Sequence, residues 1–290
     1  TESLRESVGR SDVPVLIDQE GGRVQRFKPP LVPQYPSGAD LGALYLANPE
    51  AGLRAAWIMS RLHAFDLFPL GINVDCLPVL DVPSPGGHEV IGSRAYGITP
   101  DVVSAMGQAA CDGLKAGGLL PVIKHIPGHG RAGADTHFEL PHVGASHAEL
   151  SAHDFIPFKA LAGEAMAMSA HVVFTALDAD QPATTSRPVV EQIIRSEIGF
   201  GGLLMSDDVS MNALSGDFAT RTRAILAAGC DVTLHCNGNR AEMEAVASAT
   251  HTLSGDSLRR ADDVMAAFHT PDDSDEAALR EEFEGLMAAS

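Results

Sequence analysis

Residues 119–137, LLPVIKHIPGHGRAGADTH, join an apolar run to a polar, glycine-rich loop. Lys124 and His125 follow the apolar run directly, and Pro127 and the glycines after it force an irregular backbone path. A short apolar run that ends in polar residues is typical of a parallel-sheet strand, because such a strand is buried on both faces. We therefore expect Lys124 and His125 at the end of a buried strand.

The same pattern recurs along the chain. The other apolar runs that end in polar or glycine-rich residues are VPVLIDQEGG (13–22), INVDCLPVLDV (72–82), AMAMSAHVVF (165–174), GGLLMSDDVS (201–210) and CDVTLHCNGN (230–239). Segments with helical spacing lie between them, and in one of these Val103, Met106 and Ala110 share a face. The alternation of strand and helix predicts a parallel α/β architecture.

Polar side chains follow these runs at their carboxyl ends. They are Asp18, Glu20, Asp81, Lys124, His125, His171, Asp207, Asp208 and Asn237. The carboxyl ends of the strands form the active-site rim of a (β/α)8 barrel and the ligand crevice of an open sheet. We therefore expect a functional site at these residues under either topology.

Length and composition limit the possible classes of protein. The 290 residues, 45% of them hydrophobic, can bury the core of one large domain or two small ones. A formal net charge of -18 repels a polyanion, so we expect no nucleic-acid partner. We expect no membrane span, because no run of 18 apolar residues occurs. The acidic residues 271–290 predict a C-terminal helix or solvated tail, exposed in either form.

The four cysteines indicate the redox state of the compartment in which the protein works. Cys76, Cys111, Cys230 and Cys236 form no C-x-x-C pair, and Cys76 and Cys230 lie in apolar runs, where we expect them to be buried. This usage fits a reducing compartment better than a disulfide scaffold. No exposed apolar stripe calls for a dimer, so we expect a monomer.

The loop offers an acid–base pair. Asp135 and His137 are two residues apart, which places both on one side of an extended segment. A carboxylate beside an imidazole orients the ring and raises its basicity, so the pair can transfer a proton near neutral pH. The histidines also suggest zinc, but H-E-x-x-H is absent and no cysteine is nearby. The sequence has no phosphate-loop motif and no G-x-S-x-G element either.

Two strand ends add charged groups. Asp207 projects from its strand end and could be a nucleophile, a general base or a metal ligand, whereas Asp208 is expected to cap a helix or hold a turn. Asp18 can accept hydrogen bonds from vicinal sugar hydroxyls with Arg26 bracing it. A rim so rich in donors and acceptors suits a neutral polyol. The residues predict a sugar-processing enzyme and leave hydrolase, isomerase and aldolase open.

Several motifs together resemble glycoside hydrolase family 3, and specifically its bacterial β-N-acetylglucosaminidases of cell-wall recycling. They are IDQEGGRVQRF, PVLDV, IGSRAYG, KHIPGHGRAGADTHFELP, SAHV, IGFGGLLMSDDVSM and AGCDV, which lie in the family's order between residues 16 and 233. The resemblance implies a (β/α)8 TIM-type barrel formed by a single domain over residues 1–290. Because the sequence shows six strand runs, the two N-terminal strand–helix units are expected to be missing from this chain.

The resemblance also implies roles for individual residues. Asp207 would be the nucleophile of a retaining double displacement, and His137 would be the general acid/base with Asp135 as its partner. The residues implied to bind the N-acetylglucosamine ring are Asp18, Arg26, Arg94, Lys124, His125 and His171. The implied substrate is a muropeptide fragment, GlcNAc–anhydro-MurNAc with or without peptide, and neither a cofactor nor a metal is expected. The resemblance also implies a cytoplasmic location, which agrees with the cysteines.

Other functions remain open at this point. Within the family, the enzyme could trim chitooligosaccharides or use phosphate in place of water. Outside it, the chain could be an inactive sugar-binding protein or a metal-dependent hydrolase that uses the histidines.

Overall fold

A computed structural model of the chain describes residues 1–10, 12–84, 87–134, 136 and 139–288. The strands in these ranges are β1 (Leu16–Ile17), β2 (Gln19–Gly21), β3 (Val24–Gln25), β4 (Val74–Asp75), β5 (Leu120–Ile126), β6 (His142–Val143), β7 (Met166–Ser169), β8 (Val173–Phe174), β9 (Leu203–Asp208) and β10 (Val232–Leu234). The α-helices are α1 (Glu2–Val8), α2 (Gly38–Ala47), α3 (Pro49–Leu67), α4 (Pro100–Ala116), α5 (His147–Ala152), α6 (Ile156–Ala160), α7 (Phe218–Ala228), α8 (Arg240–Ala249), α9 (Gly255–Ala267) and α10 (Glu276–Ala288). Short 3-10 turns span Phe68–Leu70, Gly92–Arg94 and Ala183–Thr185, and a π-helix spans Val189–Glu197.

One six-stranded sheet organises the fold. Its strand order is β1-β4-β5-β7-β9-β10, and every neighbouring pair is parallel. Each of the six apolar runs in the sequence supplies one of these strands. The predicted fold class is therefore confirmed: the chain forms a curled parallel sheet with helices that corresponds to part of a TIM-type barrel.

Alternating side chains separate the two faces of the sheet. On β5, Leu120 and Val122 belong to one apolar cluster and Ile123 to another, as the period of two in a strand requires. The first cluster, on what we call the inner face, includes Leu203 and Met205 of β9. The second packs against helices such as α4 and α6. Side chains that continue the inner register beyond a strand therefore reach the carboxyl-terminal opening of the sheet.

Local sequence explains one boundary each of helices α3 and α4. In α4, Val103, Met106 and Ala110 are fully buried, and the helix ends at Gly117, which follows Ala116. In α3, the side chain of Asn48 accepts a hydrogen bond from Ala51 N at the helix start, and Pro49 occupies the first turn, where its missing N–H costs no bond. None of the helices in the described part of the chain is long and apolar enough to span a membrane.

The acidic C-terminal segment is more buried than its sequence suggests. It contains α10, which packs against α3 with Leu279 and Phe283 almost fully buried. The expectation of an exposed helix or tail is wrong for these two side chains, because their spacing of four residues gives α10 one apolar edge. Its acidic residues occupy the other faces of the helix.

Candidate active site

A cavity of about 240 Å³ lies at the carboxyl ends of the strands. It is lined by Asp18, Glu20, Val24, Arg26, Val90, Ile91, Arg94, Lys124, His125, His129, Thr136, Met168, Asp207, Asp208, Met211, Leu234 and Cys236. Asp18, Lys124 and Asp207 continue the inner-face register of β1, β5 and β9. Their convergence therefore follows from strand alternation.

Lys124 is at the centre of a buried charge network on one wall. Its ammonium lies 3.0 Å from Asp18 Oδ1 and 2.6 Å from Glu20 Oε1, and its side chain is 2% exposed. Arg94 donates two hydrogen bonds of 2.8 Å to Glu20. Arg26, at the mouth of the cavity, donates to Asp18 Oδ2 at 2.8 Å and stays largely exposed. The network holds two carboxylates and three cations in fixed positions.

These groups keep one another charged. Burial alone would raise the pKa of Glu20, but Lys124 and Arg94 lower it to about 2. Burial would also raise the pKa of Asp18, but Lys124 and Arg26 outweigh it and hold that pKa well below its usual range. Burial opposes the charge of Lys124, yet the two carboxylates raise its pKa above the usual value. The wall therefore presents fixed charges to a ligand at neutral pH.

Asp81 orients His125 on the adjoining wall. Asp81 Oδ1 accepts the backbone N–H groups of His125 at 3.1 Å and His129 at 2.7 Å, and Oδ2 lies 2.7 Å from His125 Nδ1. Asp81 is fully buried, which would raise its pKa, but His125 lowers that pKa to about 2. An ionised carboxylate only accepts hydrogen bonds, so Nδ1 of His125 carries a proton and donates it. His125 Nε2 then faces Asp207.

Asp207 stands beside that imidazole. Its Oδ2 lies 4.0 Å from His125 Nε2, and its Oδ1 accepts the N–H of Asp208 at 2.8 Å. Asp208 has a different use: Oδ1 and Oδ2 accept the N–H and hydroxyl of Ser210. The expectation that Asp208 holds a turn is thus confirmed. Asp207 remains directed at the cavity with a 12% exposed side chain.

His171 lies behind the cavity and not on its wall. The ring is fully buried, with Nδ1 2.9 Å from Thr184 Oγ1 and Nε2 3.1 Å from the carbonyl oxygen of Asp208. Burial lowers its pKa, and the carbonyl contact requires the proton on Nε2. His171 lies beyond the end of β7 at Ser169 and is not among the residues that line the cavity. The ring supports the backbone of the Asp208 turn, and the predicted contact of His171 with a sugar stays a prediction.

The proposed proton-transfer pair, Asp135 and His137, lies outside the described residues. The residue between them, Thr136, lines the cavity, is almost fully buried, and its carbonyl oxygen accepts Ala213 N at 3.2 Å. On the near side of the loop, Arg131 Nε donates to the buried Asp154 carboxylate at 2.7 Å. Thr136, the described residue between the members of the pair, thus lies at the cavity.

The sequence did not assign roles to several groups at the site. Glu20 and Asp81 were recognisable as strand-end acids, but their partners on other strands were not. His129 is buried, and burial and the neighbouring His125 lower its pKa to about 4, so it is neutral. Cys236 continues the inner register of β10 onto the cavity wall, a signal present in the sequence but not used.

Comparisons with known proteins agree with this geometry. The model of the glycosyl hydrolase family 3 N terminal domain matches residues 2–265. A β-hexosaminidase of Methylococcus capsulatus is 40% identical over 256 residues, which cover 87% of this chain and 75% of that protein. A β-hexosaminidase of Stenotrophomonas maltophilia is 38% identical over 251 residues, which cover 85% of this chain and 72% of that protein.

A solved structure shares the fold. It is NagZ from Neisseria gonorrhoeae in complex with N-trifluoroacetyl-D-glucosamine, with a TM-score of 0.80 and 33% identity over 95% of this chain and 80% of that chain. The predicted enzyme class, a glycoside hydrolase of the β-N-acetylhexosaminidase type, is confirmed by these relatives. The chain therefore belongs to glycosyl hydrolase family 3, as its sequence motifs indicated.

Proposed function

We propose that this chain is a retaining exo-glycosidase that hydrolyses terminal β-linked N-acetylglucosamine. The observation that carries the proposal is the wall formed by Lys124, Asp18 and Glu20, which faces Asp207 across a cavity of about 240 Å³. Pockets for drug-sized ligands enclose about 300–1,000 Å³, so this smaller volume suits one sugar ring and not an extended glycan. A single-ring site is what an exo-acting enzyme needs.

The wall has the chemistry to hold a sugar ring by its hydroxyls. Asp18 accepts hydrogen bonds from vicinal hydroxyls, and the Lys124 ammonium and the Arg26 guanidinium donate them. His125 contributes through Nε2, because Asp81 occupies its Nδ1. Both hydrogen bonds of Arg94 to Glu20 occupy most of its guanidinium. In this proposal Arg94 therefore holds Glu20 in position and contacts the sugar ring only with the edge of its guanidinium. His171 is not part of the cavity lining, so in this proposal it acts on the sugar only through the Asp208 turn that it supports.

In the first half-reaction Asp207 acts as the nucleophile. One carboxylate oxygen of Asp207 forms a bond to the anomeric carbon as the bond from that carbon to the leaving oxygen breaks. His137, oriented by Asp135, gives its proton to that oxygen, so the aglycone leaves as an alcohol. The hydrogen bond from Asp208 N to Asp207 Oδ1 keeps one carboxylate oxygen occupied. The other oxygen, Oδ2, is then free to attack.

In the second half-reaction water completes the hydrolysis. His137, now neutral, takes a proton from water, whose oxygen attacks the anomeric carbon and displaces the Asp207 carboxylate. Two inversions at one carbon return the β configuration. A carboxylate nucleophile with an imidazole acid/base differs from the usual carboxylate pair of retaining glycosidases.

The finer assignments belong to the same proposal. We place the substrate among muropeptide fragments, GlcNAc–anhydro-MurNAc with or without peptide, and the process in peptidoglycan recycling. This rests on the N-acetylglucosaminidase motifs and on the glucosamine derivative that the Neisseria relative holds. A cytoplasmic location is supported by the free and buried Cys76, Cys111 and Cys230. We expect a monomer without a cofactor.

The test is release of 4-nitrophenol from its β-N-acetylglucosaminide and, in parallel, from its β-glucoside, measured with and without EDTA. Activity of the wild type on the first substrate alone, lost in Asp207→Ala, supports the proposal. Activity that EDTA abolishes points to a metal-dependent hydrolase. Turnover that depends on added phosphate and yields a sugar 1-phosphate points to phosphorolysis. Tight binding of N-acetylglucosamine without turnover of either substrate points to a binding protein.

A further inference from the structure

Helix α10 contacts one residue of particular consequence, Tyr35. Arg280 Nη1 donates to the Tyr35 hydroxyl at 3.1 Å, and that hydroxyl donates to Asp66 Oδ2 at 2.6 Å. Arg280 Nη2 also pairs with Asp66 at 2.8 Å, and the Phe283 and Tyr35 rings lie 6.5 Å apart. Tyr35 is 3% exposed, so its side chain is enclosed by these groups. The helix lies beyond the stretch 2–265 that the family model matches.

The backbone of Tyr35 holds the hairpin formed by β2 and β3. Its carbonyl oxygen accepts the N–H of Gly22 at 3.0 Å, and its own N–H donates to Gln25 Oε1 at 3.1 Å. At Gly21, whose φ is +93°, an added Cβ would lie 2.3 Å from the Pro36 carbonyl oxygen. The hairpin therefore lies directly against residues 35 and 36, in an approach that only glycine permits.

That hairpin carries the sugar-binding wall. Glu20 lies on β2, Asp18 immediately precedes it, and Arg26 immediately follows β3. The Gln19 side chain closes the hairpin, because its Oε1 accepts the N–H of Arg26 at 2.9 Å. A two-stranded hairpin is at best marginally stable by itself, so the wall depends on what supports the hairpin from outside.

A second set of contacts runs from Tyr35 to the same strand. The Tyr35 and His63 rings meet edge to face at 4.6 Å, and His63 Nδ1 lies 3.5 Å from Asp75 Oδ2. Asp75 Oδ1 accepts the backbone N–H of Gln19 at 3.0 Å. His63 and Asp75 are fully buried. Tyr35 is thus linked to the hairpin in two ways, directly at Gly22 and Gln25 and through His63 and Asp75 at Gln19.

We propose that α10 is a positioning element of the active site. Arg280 and Phe283 fix Tyr35, and Tyr35 fixes the hairpin whose carboxylates and Arg26 bind the sugar. The role in sugar binding rests on the proposed function, whereas the mechanical link from α10 to the hairpin does not. Arg280 and Tyr35 are positioning residues in this scheme, since neither lines the cavity.

The chain supplies a matched control on the same helix. Glu282 accepts two hydrogen bonds of 2.7 Å from Arg54 of α3, but both side chains are 42% exposed and neither contacts Tyr35. An exposed pair of this kind contributes about 0–1 kcal/mol, so Glu282→Ala leaves α10 docked. Arg280→Ala removes an ion pair from the same helix together with the support of Tyr35.

The test is amide hydrogen exchange, read by mass spectrometry on peptides that cover residues 19–27 and 203–208. Arg280→Ala is expected to speed exchange in 19–27 by at least about tenfold and to leave 203–208 unchanged, because local opening is confined to the hairpin. Glu282→Ala is expected to match the wild type in both. If Arg280→Ala does not fold, Tyr35→Phe removes the same hydroxyl contacts and keeps the ring, with the same expected pattern. Equal exchange in 19–27 for the wild type and the variant overturns the proposal, as does an equal rise in both peptides.

Kinetics then separate positioning from general stabilisation. At a temperature where all variants are folded, Arg280→Ala is expected to raise KM for 4-nitrophenyl β-N-acetylglucosaminide several-fold, with a smaller change in kcat. Wild-type KM in Arg280→Ala, with a lowered melting temperature, would mean that α10 only stabilises the fold. Absence of turnover in the wild type would refute the proposed function instead, and the exchange result would still decide the link from α10 to the hairpin.

Discussion

Replacing Lys124 by methionine tests the charge network most severely. The substitution keeps the length of the side chain but leaves Asp18 and Glu20 without the ammonium that lies 3.0 and 2.6 Å from them. Removing one partner of a buried ion pair costs about 3–5 kcal/mol, because a desolvated charge is left behind. The pKa of Glu20 gives a similar figure. Its fall from 4.5 to about 2 corresponds to about 3 kcal/mol of stabilisation of the ionised form, shared by Lys124 and Arg94.

The pH dependence of that loss has a definite sign. The folded pKa of Glu20 is depressed, so its contribution is fully present above the usual pKa of 4.5 and is lost as the pH falls from 4.5 towards 2. In Lys124→Met the carboxylates take up protons more readily. The difference in unfolding free energy between wild type and variant is therefore largest at pH 7 and smaller by about 1 kcal/mol at pH 4.

The assay is urea unfolding followed by circular dichroism at pH 7 and pH 4. The control is Lys159→Met, which removes a partly exposed 2.9 Å ion pair with Glu197 and is expected to cost less than about 1 kcal/mol. A loss below about 1 kcal/mol for Lys124→Met at pH 7, or a loss equal to that of the control, would refute the account of a buried charge network.

Four further predictions concern catalysis and reactivity. Asp207→Asn should lower kcat at least about 10³-fold with an unchanged melting temperature, measured with 4-nitrophenyl β-N-acetylglucosaminide. His137→Ala should lower kcat by about 10²–10⁴-fold on a β-N-acetylglucosaminide with an alkyl leaving group. The rate of the first half-reaction with the 4-nitrophenyl substrate should fall much less, because that leaving group needs no acid. Asp81→Asn should lower kcat/KM by about 10²-fold, because His125 loses its orientation; wild-type kcat/KM would contradict this. Cys236 is solvent-exposed, yet it should react with iodoacetamide more slowly at pH 8 than a free cysteine, since partial desolvation of its thiol and the nearby carboxylates raise its pKa to about 12; mass spectrometry of the alkylated protein measures the rate.

The sequence predicts the parallel sheet because buried strands differ from helices in both length and composition. Each apolar run supplies one sheet strand, yet the strands are shorter than the runs. INVDCLPVLDV yields β4, Val74–Asp75, and only an isolated bridge at Val79 beyond Pro78, which has no N–H to donate. AMAMSAHVVF divides into β7 and β8. The run shows that a strand exists, but its ends are set by contacts with neighbouring strands.

The site was predictable in location and less so in its contacts. Asp18, Lys124 and Asp207 are strand-end residues in the inner register, and all three line the cavity. His171 also follows a strand, but its ring is held by Thr184 and the Asp208 carbonyl oxygen and is not part of the cavity lining, which the position alone does not reveal. The partnership of Lys124 with Glu20 joins residues 104 positions apart, and no local pattern reveals such a contact.

The role of α10 could not be predicted from the sequence either. Its charges indicate exposure, and only the packing of Leu279 and Phe283 on α3 shows that one edge is buried. The roles of Asp135 and His137, and the extent of the domain over 1–290, stay predictions.

The most direct test of the central claim is to identify the residue that carries the glycosyl-enzyme intermediate. A 5-fluoro derivative of N-acetylglucosaminyl fluoride slows both half-reactions and lets the intermediate accumulate, and peptide mass spectrometry then locates the sugar. The account predicts one sugar on Asp207, within the peptide that covers 203–211, and none in Asp207→Asn. A sugar on another residue, or full turnover of the reagent by the wild type with inversion at the anomeric carbon, would contradict it.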